Sequence, residues 1–446
     1  MQRPFSMLVP ATRTRLAIAL AAAPIWAFSA DVQAQSRPPQ QARPIVSSAP
    51  SQMGEHDEPH GTVEKLRNWT GEQEASYRRV AARLREYGVT PSVGSLGPGS
   101  GIAVGLTFRR ERRPDFPLDL EASAAFSYRG YERYDLRLGL LGAGGSRTSI
   151  GPPDDPVSSQ FDAFDRIERG FAVYGHLRYR RSPLNRFFGP GSDSRAIDNT
   201  SYQLSGASYE LVTEYQPREQ VGFAIRGGLL DFAIGRGGDS SVPSAGRLFD
   251  ESRAPGITAA RQPLVFHVAA AVALDGRDSA EAPRSGAMAG LLLERFDSVG
   301  SLRHDFTRVA FDARCYVPAK ARSVVALRVL ASGDFADRGA RVPFYLQQTL
   351  GGSDTLRGFE RALFRDASLL AFSAEYRFDV HRTVELAAFG DVGQVAGGFG
   401  RMSFDSFRTA IGAGVRVKIG GAVRLRADWA VGREGHRLVL AAGPSF

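Results

Sequence analysis

The chain has 446 residues, with 56 Lys and Arg against 47 Asp and Glu, seven His and a single Cys. One Cys excludes a disulfide framework and a thiolate metal centre. A hydrophobic fraction of 43% beside 23% charged residues excludes wholesale disorder, and a mean hydropathy of −0.20 excludes a bundle of membrane helices. A membrane β-barrel stays open, because strands that alternate apolar with polar residues average near zero.

Arg3, Arg13 and Arg15 precede the uncharged apolar stretch from Leu16 to Phe28, and Val32 and Ala34 sit at −3 and −1 before Gln35. This is the layout of a cleavable signal peptide over residues 1–34. The stretch falls short of the roughly 20 apolar residues that span a bilayer as a helix. The next apolar run, Val268 to Leu274, is shorter still and ends at Asp275. The mature protein is therefore expected outside the cytoplasm, either soluble or as a membrane barrel.

Residues 35–88 read as a flexible periplasmic linker with one short helix. Pro, Ser and Gln dominate 35–66. Within them, His56-Asp57-Glu58-Pro59-His60 reads as a solvated polar run rather than a metal site. Over 71–87, Tyr77, Val80, Ala81, Leu84 and Tyr87 share a helical stripe that Gly88 would end.

From residue 89 to 446 the period becomes two. Tyr134, Leu136 and Leu138 alternate with Asp135 and Arg137; Val309, Phe311 and Ala313 with Arg308, Asp312 and Arg314; Val423, Leu425 and Trp429 with Arg424, Arg426 and Asp428. About sixteen strands follow: 89–95, 100–110, 117–129, 131–142, 168–181, 200–215, 219–233, 263–275, 286–298, 302–317, 322–334, 367–380, 383–395, 408–420, 422–432 and 436–446. An alternating sheet suits a soluble sandwich as well as a barrel. Strand length, aromatic residues at strand ends (Tyr128, Tyr179, Tyr202, Phe378) and a last strand with Leu438, Leu440 and Phe446 on one face favour a barrel in lipid. The fold class is all-β: a transmembrane antiparallel barrel with a long loop folded into its lumen. An even strand number puts both ends on the periplasmic side.

The long connection at about 335–366 carries Leu350-Gly351-Gly352-Ser353-Asp354-Thr355-Leu356-Arg357-Gly358-Phe359. Ser373-Ala374-Glu375-Tyr376-Arg377-Phe378 follows it, then Phe389-Gly390-Asp391-Val392-Gly393 and the glycine-rich Ile411-Gly412-Ala413-Gly414-Val415. In this order and spacing the chain resembles the bacterial outer-membrane assembly-factor (surface-antigen) superfamily, which includes BamA, TamA and the two-partner secretion transporters. The family's hallmarks are an Arg-Gly-Phe/Tyr loop tip folded into the lumen, an acidic residue in the next strand, and Phe-x-Asp-x-Gly in a following one. Asp275-Gly276-Arg277-Asp278 resembles its mid-barrel turn. The resemblance is good over about 260–446 and loose over 89–260. It implies that Arg357, Gly358 and Phe359 form a lumenal lock with Glu375, Phe389, Asp391 and Gly393, and that Leu438, Leu440 and Phe446 form a C-terminal barrel-recognition strand. The residues permit the same reading on their own terms. Period-two register puts Glu375 and Asp391 on charged faces, and a guanidinium fork can engage both carboxylates. The best-known members carry POTRA domains before the barrel. Only about 55 residues separate Ala34 from the first strand here, which puts substrate capture in question.

The resemblance implies a protein of the bacterial outer membrane, in contact with its lipids and lipopolysaccharide, that assists insertion or translocation of proteins. Its partners would be barrel precursors or a periplasmic protein. Two other readings stand beside it. One is a gated channel with a cationic lumen lined by Arg178, Arg226, Arg308, Arg328, Arg416, Arg424 and Arg426. The other is a structural barrel whose 71–87 helix docks a periplasmic protein. No HExxH, paired-Cys or GxSxG pattern occurs, so an enzyme, a metal or another cofactor is not expected. The Arg186-Phe187-Phe188-Gly189-Pro190-Gly191 run lies between strands and reads as a tight connection. Nucleic-acid binding is not expected either.

Overall fold

The computed structural model describes residues 83–97, 99–141, 170–300, 303–320, 322–419, 422–441 and 443–446. The signal peptide, the linker and most of the 71–87 helix lie outside them; residues 83–86 are helical. The strands are β1 (Val89–Gly94), β2 (Ala103–Arg110), β3 (Asp119–Ser127), β4 (Glu132–Leu140), β5 (Gly170–Phe187), β6 (Thr200–Arg218), β7 (Val221–Arg236), β8 (Leu264–Asp275) and β9 (Gly286–Val299). They continue with β10 (Phe306–Lys320), β11 (Ser323–Ala336), β12 (Gln348–Leu350), β13 (Phe364–Asp366), β14 (Ser368–His381), β15 (Val384–Ala396), β16 (Arg408–Ile419), β17 (Ala422–Gly432) and β18 (Gly435–Ala441). Sixteen of them form one sheet in chain order, β11 pairing directly with β14. The two short strands β12 and β13 pair with each other inside the long loop.

Alternation fixes the two faces. On β14, Glu375 and Arg377 are buried while Phe372, Tyr376 and Phe378 are exposed. The same holds at Ile225 against Arg226 and at Phe311 against Asp312. A sheet that exposes its apolar face and buries its charged face is inside out for water and correct for lipid around a polar lumen. Among the described residues the ladder runs from β1 to β18 with no pairing between those two end strands.

The sequence-derived spans are close for most strands, with two informative departures. Strands β5 and β6 are longer than expected, at 18 and 19 residues. A register shift between Ser182 and Asn185, around Pro183, lets β5 bend and keep pairing with β6 as far as Phe187. Strand β18 stops at Ala441 rather than 446. Gly443 takes φ 79°, and Pro444 cannot donate to a ladder. The chain therefore leaves the sheet and turns inward. Leu438 and Leu440 stay on the outer face as expected, but Phe446 does not share it. Its ring is only 7% exposed and packs with Tyr316 of β10, Val324 and Ala326.

With β1 leading upward from one mouth, the connections at 188–199, 237–263, 337–367 and 397–407 all fall at the opposite mouth. That loop mouth is capped by an aromatic cluster in which Phe187, Phe249, Phe344 and Tyr345 meet at ring distances of 4.8–5.8 Å. The Phe188–Gly191 stretch is part of a strap from β5 to β6 that crosses to the far wall. Ser192 exchanges two 2.9 Å bonds with the backbone of Val395, and the Ala196 N–H donates to Glu434 at 3.1 Å.

Candidate functional site

The loop between β11 and β14 enters the lumen as a compact body. Gly351 and Gly352 both have positive φ, and the Gly352 N–H donates to the carbonyls of Leu356 and Phe359 at 3.2 and 3.1 Å. Leu350, Leu356, Phe359, Leu363 and Phe364 form its apolar underside and join the core of the barrel wall. Ala362, where the loop returns, holds φ 55°. A side-chain-bearing residue pays for that conformation, so the surrounding packing must enforce it.

Arg357 lies at the tip, 2% exposed, against Glu375 and Asp391 at 1% and 2%. Its Nε and Nη2 donate to the two oxygens of Asp391, both at 2.8 Å, and its backbone N–H adds a third bond at 3.2 Å. Nη1 donates to Glu375 at 2.6 Å. The guanidinium lies over the Phe389 ring, 3.4 Å from its centroid. All planar recognition modes of arginine are used at once, two carboxylates in the fork plane and a ring on the face.

The wall is shaped for this. Position 358 has no positive φ, so its glycine serves closeness rather than a tight turn. A Cβ there would meet the Ala410 Cβ at 2.7 Å and the Gly432 N at 3.0 Å. Gly412 leaves room for the Phe389 ring, which a Cβ would meet at 2.4 Å. Gly393 gives Leu350 its place at 3.2 Å. Phe359 packs on Phe364 with tilted rings 5.2 Å apart, and against Gly432. Thus all seven residues singled out by resemblance, Arg357, Gly358, Phe359, Glu375, Phe389, Asp391 and Gly393, meet in one place.

Sequence reasoning missed the rest of the network. Arg416 donates to Glu375 at 2.8 Å and to Asp428 at 3.0 Å; Arg377 donates to Glu375 at 2.7 Å. Arg426 bridges Asp428 to the loop carbonyl of Ser353 at 3.1 and 3.0 Å. Ser445, from the inturned segment after β18, donates to Glu375 at 3.0 Å. Inward parity marked these arginines as lumenal, but nothing in the sequence marked their partners. Charge sharing of this kind changes the expected lumen. Arg178 is paired with Asp135, Arg226 with Glu294, Arg308 with Asp334 and Arg328 with Asp312. The arginines are thus offset by carboxylates of the same wall, and the lumen is charge-balanced rather than a bare cationic surface. The Arg424 side chain lies outside the described residues. Arg277 folds back on Asp275 at 2.7 Å, closing the mid-barrel turn. Among the described residues, no group of three or more His, Cys, Asp or Glu is arranged to hold a metal ion.

An antiparallel sixteen-stranded sheet with an arginine-tipped loop locked inside it defines a class of outer-membrane barrel, and the family model agrees. The Omp85 superfamily domain matches residues 175–437, and the chain belongs to that superfamily. The crystal structure of BamA from Haemophilus ducreyi lacking POTRA domains 1–3 is similar, with a TM-score of 0.52 at 12% identity, covering 83% of this chain and 77% of that one. CdiB from Escherichia coli gives 0.43 at 14%, covering 80% and 60%, and CdiB from Acinetobacter baumannii 0.40 at 11%, covering 79% and 56%. At such identities the likeness to BamA speaks for the fold alone. No curated protein matches the sequence.

Proposed function

We propose that this outer-membrane barrel assists insertion or translocation of proteins, and that the Arg357 site is its lumenal lock. In this reading residues 1–34 are removed on export and 35–88 lie in the periplasm. Both barrel ends face the periplasm, and the loop mouth faces outward. The observation that carries the reading is the contrast between a firmly anchored loop and two end strands without a shared ladder. Strand β1 has six residues, against the roughly 9–11 a tilted membrane strand needs. An edge that pairs weakly with its own last strand can template a strand of another chain. The barrel precursor would be that chain, with the lock holding the lumen side rigid while the edge opens.

Photo-crosslinkers at Val93 and Leu440 in liposomes, with radiolabelled barrel precursors supplied, test this. The expected result is precursor adducts at both positions, lost in Arg357→Ala. Adducts between the two edges alone would mean a closed barrel and overturn the proposal. A channel is the second reading. It is favoured by the half-exposed inner faces of β3 and β4, where loop packing does not reach. Single-channel conductance measures it directly.

A further inference from the structure

The connection 397–407, between β15 and β16, is a short loop that belongs to neither the lock nor the strap. It contains Phe399, Phe404 and Phe407 within nine residues. Backbone bonds fold it into two single turns, Phe399–Arg401 and Phe404–Ser406. The Ser403 N–H is held by the buried Gln394 at 3.3 Å, and the Ser403 and Ser406 hydroxyls bond at 2.9 Å. The rings are therefore placed by a built loop.

Phe399 and Phe407 lie toward the outer side of the barrel, and Phe404 sits beside Phe407. Phe335 lies on the outer face of β11 with Leu327, both exposed. Phe399 reaches past β14 to pack on Phe335, with centroids 6.4 Å apart. Gly333 makes this possible, since a Cβ there would meet the Phe399 ring at 2.6 Å. Phe407 stands one residue before β16, in register with the outward Thr409 and Ile411. Phe404 lies 6.4 Å from Phe407 and is 94% exposed. Below them the same outer face continues through Phe372 and Ile411. An aromatic shelf thus extends the lipid-facing belt upward over four strands, with Arg401 and Asp405 exposed on the loop between its rings.

We propose that the 397–407 loop is a lipid-binding wedge that seats its aromatic rings at the headgroup–acyl boundary of the leaflet at the loop mouth. The occupant is lipid rather than protein because the shelf is continuous with the belt that already meets acyl chains. Apolar side chains left in water at such a rim would gain by dipping into that interface. The inference rests on the barrel lying in a membrane.

Spin labels on the full chain in lipid nanodiscs test it. Cys315→Ser removes the native thiol, and single cysteines then replace Phe399, Phe404, Ile411 (lipid control) and Ser240 (aqueous control). Accessibility to oxygen reports lipid, and accessibility to a nickel chelate reports water. The expected result is an oxygen-dominated ratio at 399 and 404, shallower than at 411 and opposite to 240. Adding Gly333→Val should shift the 399 label toward water and leave 404 in lipid. Nickel-dominated access at 399 and 404 overturns the wedge while 411 stays in lipid, and exclusion of both reagents would mean a protein contact and overturn it too. A water-exposed 411 would instead sink the membrane placement of the barrel itself.

Discussion

The barrel walls from β9 to β17 and from β1 to β4 follow the same two-residue alternation, yet they differ on the inside. In the first, inward charges such as Arg308, Asp312, Arg416 and Asp428 are sealed and share partners across neighbouring strands and with the loop. In the second, strands of six to nine residues carry inward side chains that stay partly open, as with Arg137 and Glu121, 3.3 Å apart. The difference is the loop. Where it packs, it removes water, and buried charges must then find partners; where it does not, water does that work. Alternation alone therefore makes a wall, and the inserted loop makes one side of it a core.

Substitutions should expose this contrast. The largest effect is expected for Arg357→Ala, which strands Asp391 and Glu375 without their shared partner in a dry site. Breaking a buried pair from one side costs about 3–5 kcal/mol. Amides of 350–366 should lose hydrogen-exchange protection while β2–β4 keep theirs; unchanged protection of the loop would break the comparison. Next comes Gly412→Val, which drives a side chain into the Phe389 ring beneath Arg357. Overpacking of this kind costs about 1–3 kcal/mol, seen as a lower urea midpoint in micelles.

A smaller effect belongs to the cap. Burial works to raise the Glu251 carboxyl, but bonds from the Thr258 hydroxyl and from the Gly256 and Thr258 N–H groups outweigh it and hold it below the usual range. A depressed folded value gives stability that is complete above the ordinary glutamate value of about 4.3 and lost as pH falls through the lower folded value. Exchange of 250–260 should accelerate on acidification in the native protein beyond the change seen in Glu251→Gln. The smallest effect is expected at Glu121→Gln, under about 1 kcal/mol by the same urea measurement, since that pair keeps some access to water and Gln retains an oxygen for Arg137. A cost there equal to that of Arg357→Ala would erase the distinction between the walls.

Much of this was legible beforehand because period two and lipid act on every strand alike. The outward run at Leu136 and Leu138, or the inward Glu375 and Arg377, needed only their neighbours to be read. The proposed lock was legible mainly through resemblance, since Arg357 lies on the loop and Glu375 and Asp391 on two successive strands, and they meet through the return path of the loop. What stayed hidden depended on three-dimensional closeness without local pattern. Ser192 on Val395 is a contact between unremarkable residues. The inward turn of Phe446 follows from a break at Gly443 that an alternating strand concealed. The closeness that Gly358 allows is likewise set by Ala410 and Gly432, which no local pattern names.

The strap at 188–199 carries a consequence for the order of assembly. Every rung of the ladder joins strands adjacent in the chain, apart from the step from β11 to β14 across the inserted loop, so pairing can advance from one hairpin to the next with short loop closures. Ser192 must wait for Val395, 203 residues later, before its two bonds exist. Arg408, donating to the Ser192 carbonyl at 2.8 Å, comes later still. The strap thus docks only once its own strands and the opposite wall are both in place, and its docking then ties the two walls together across the loop mouth.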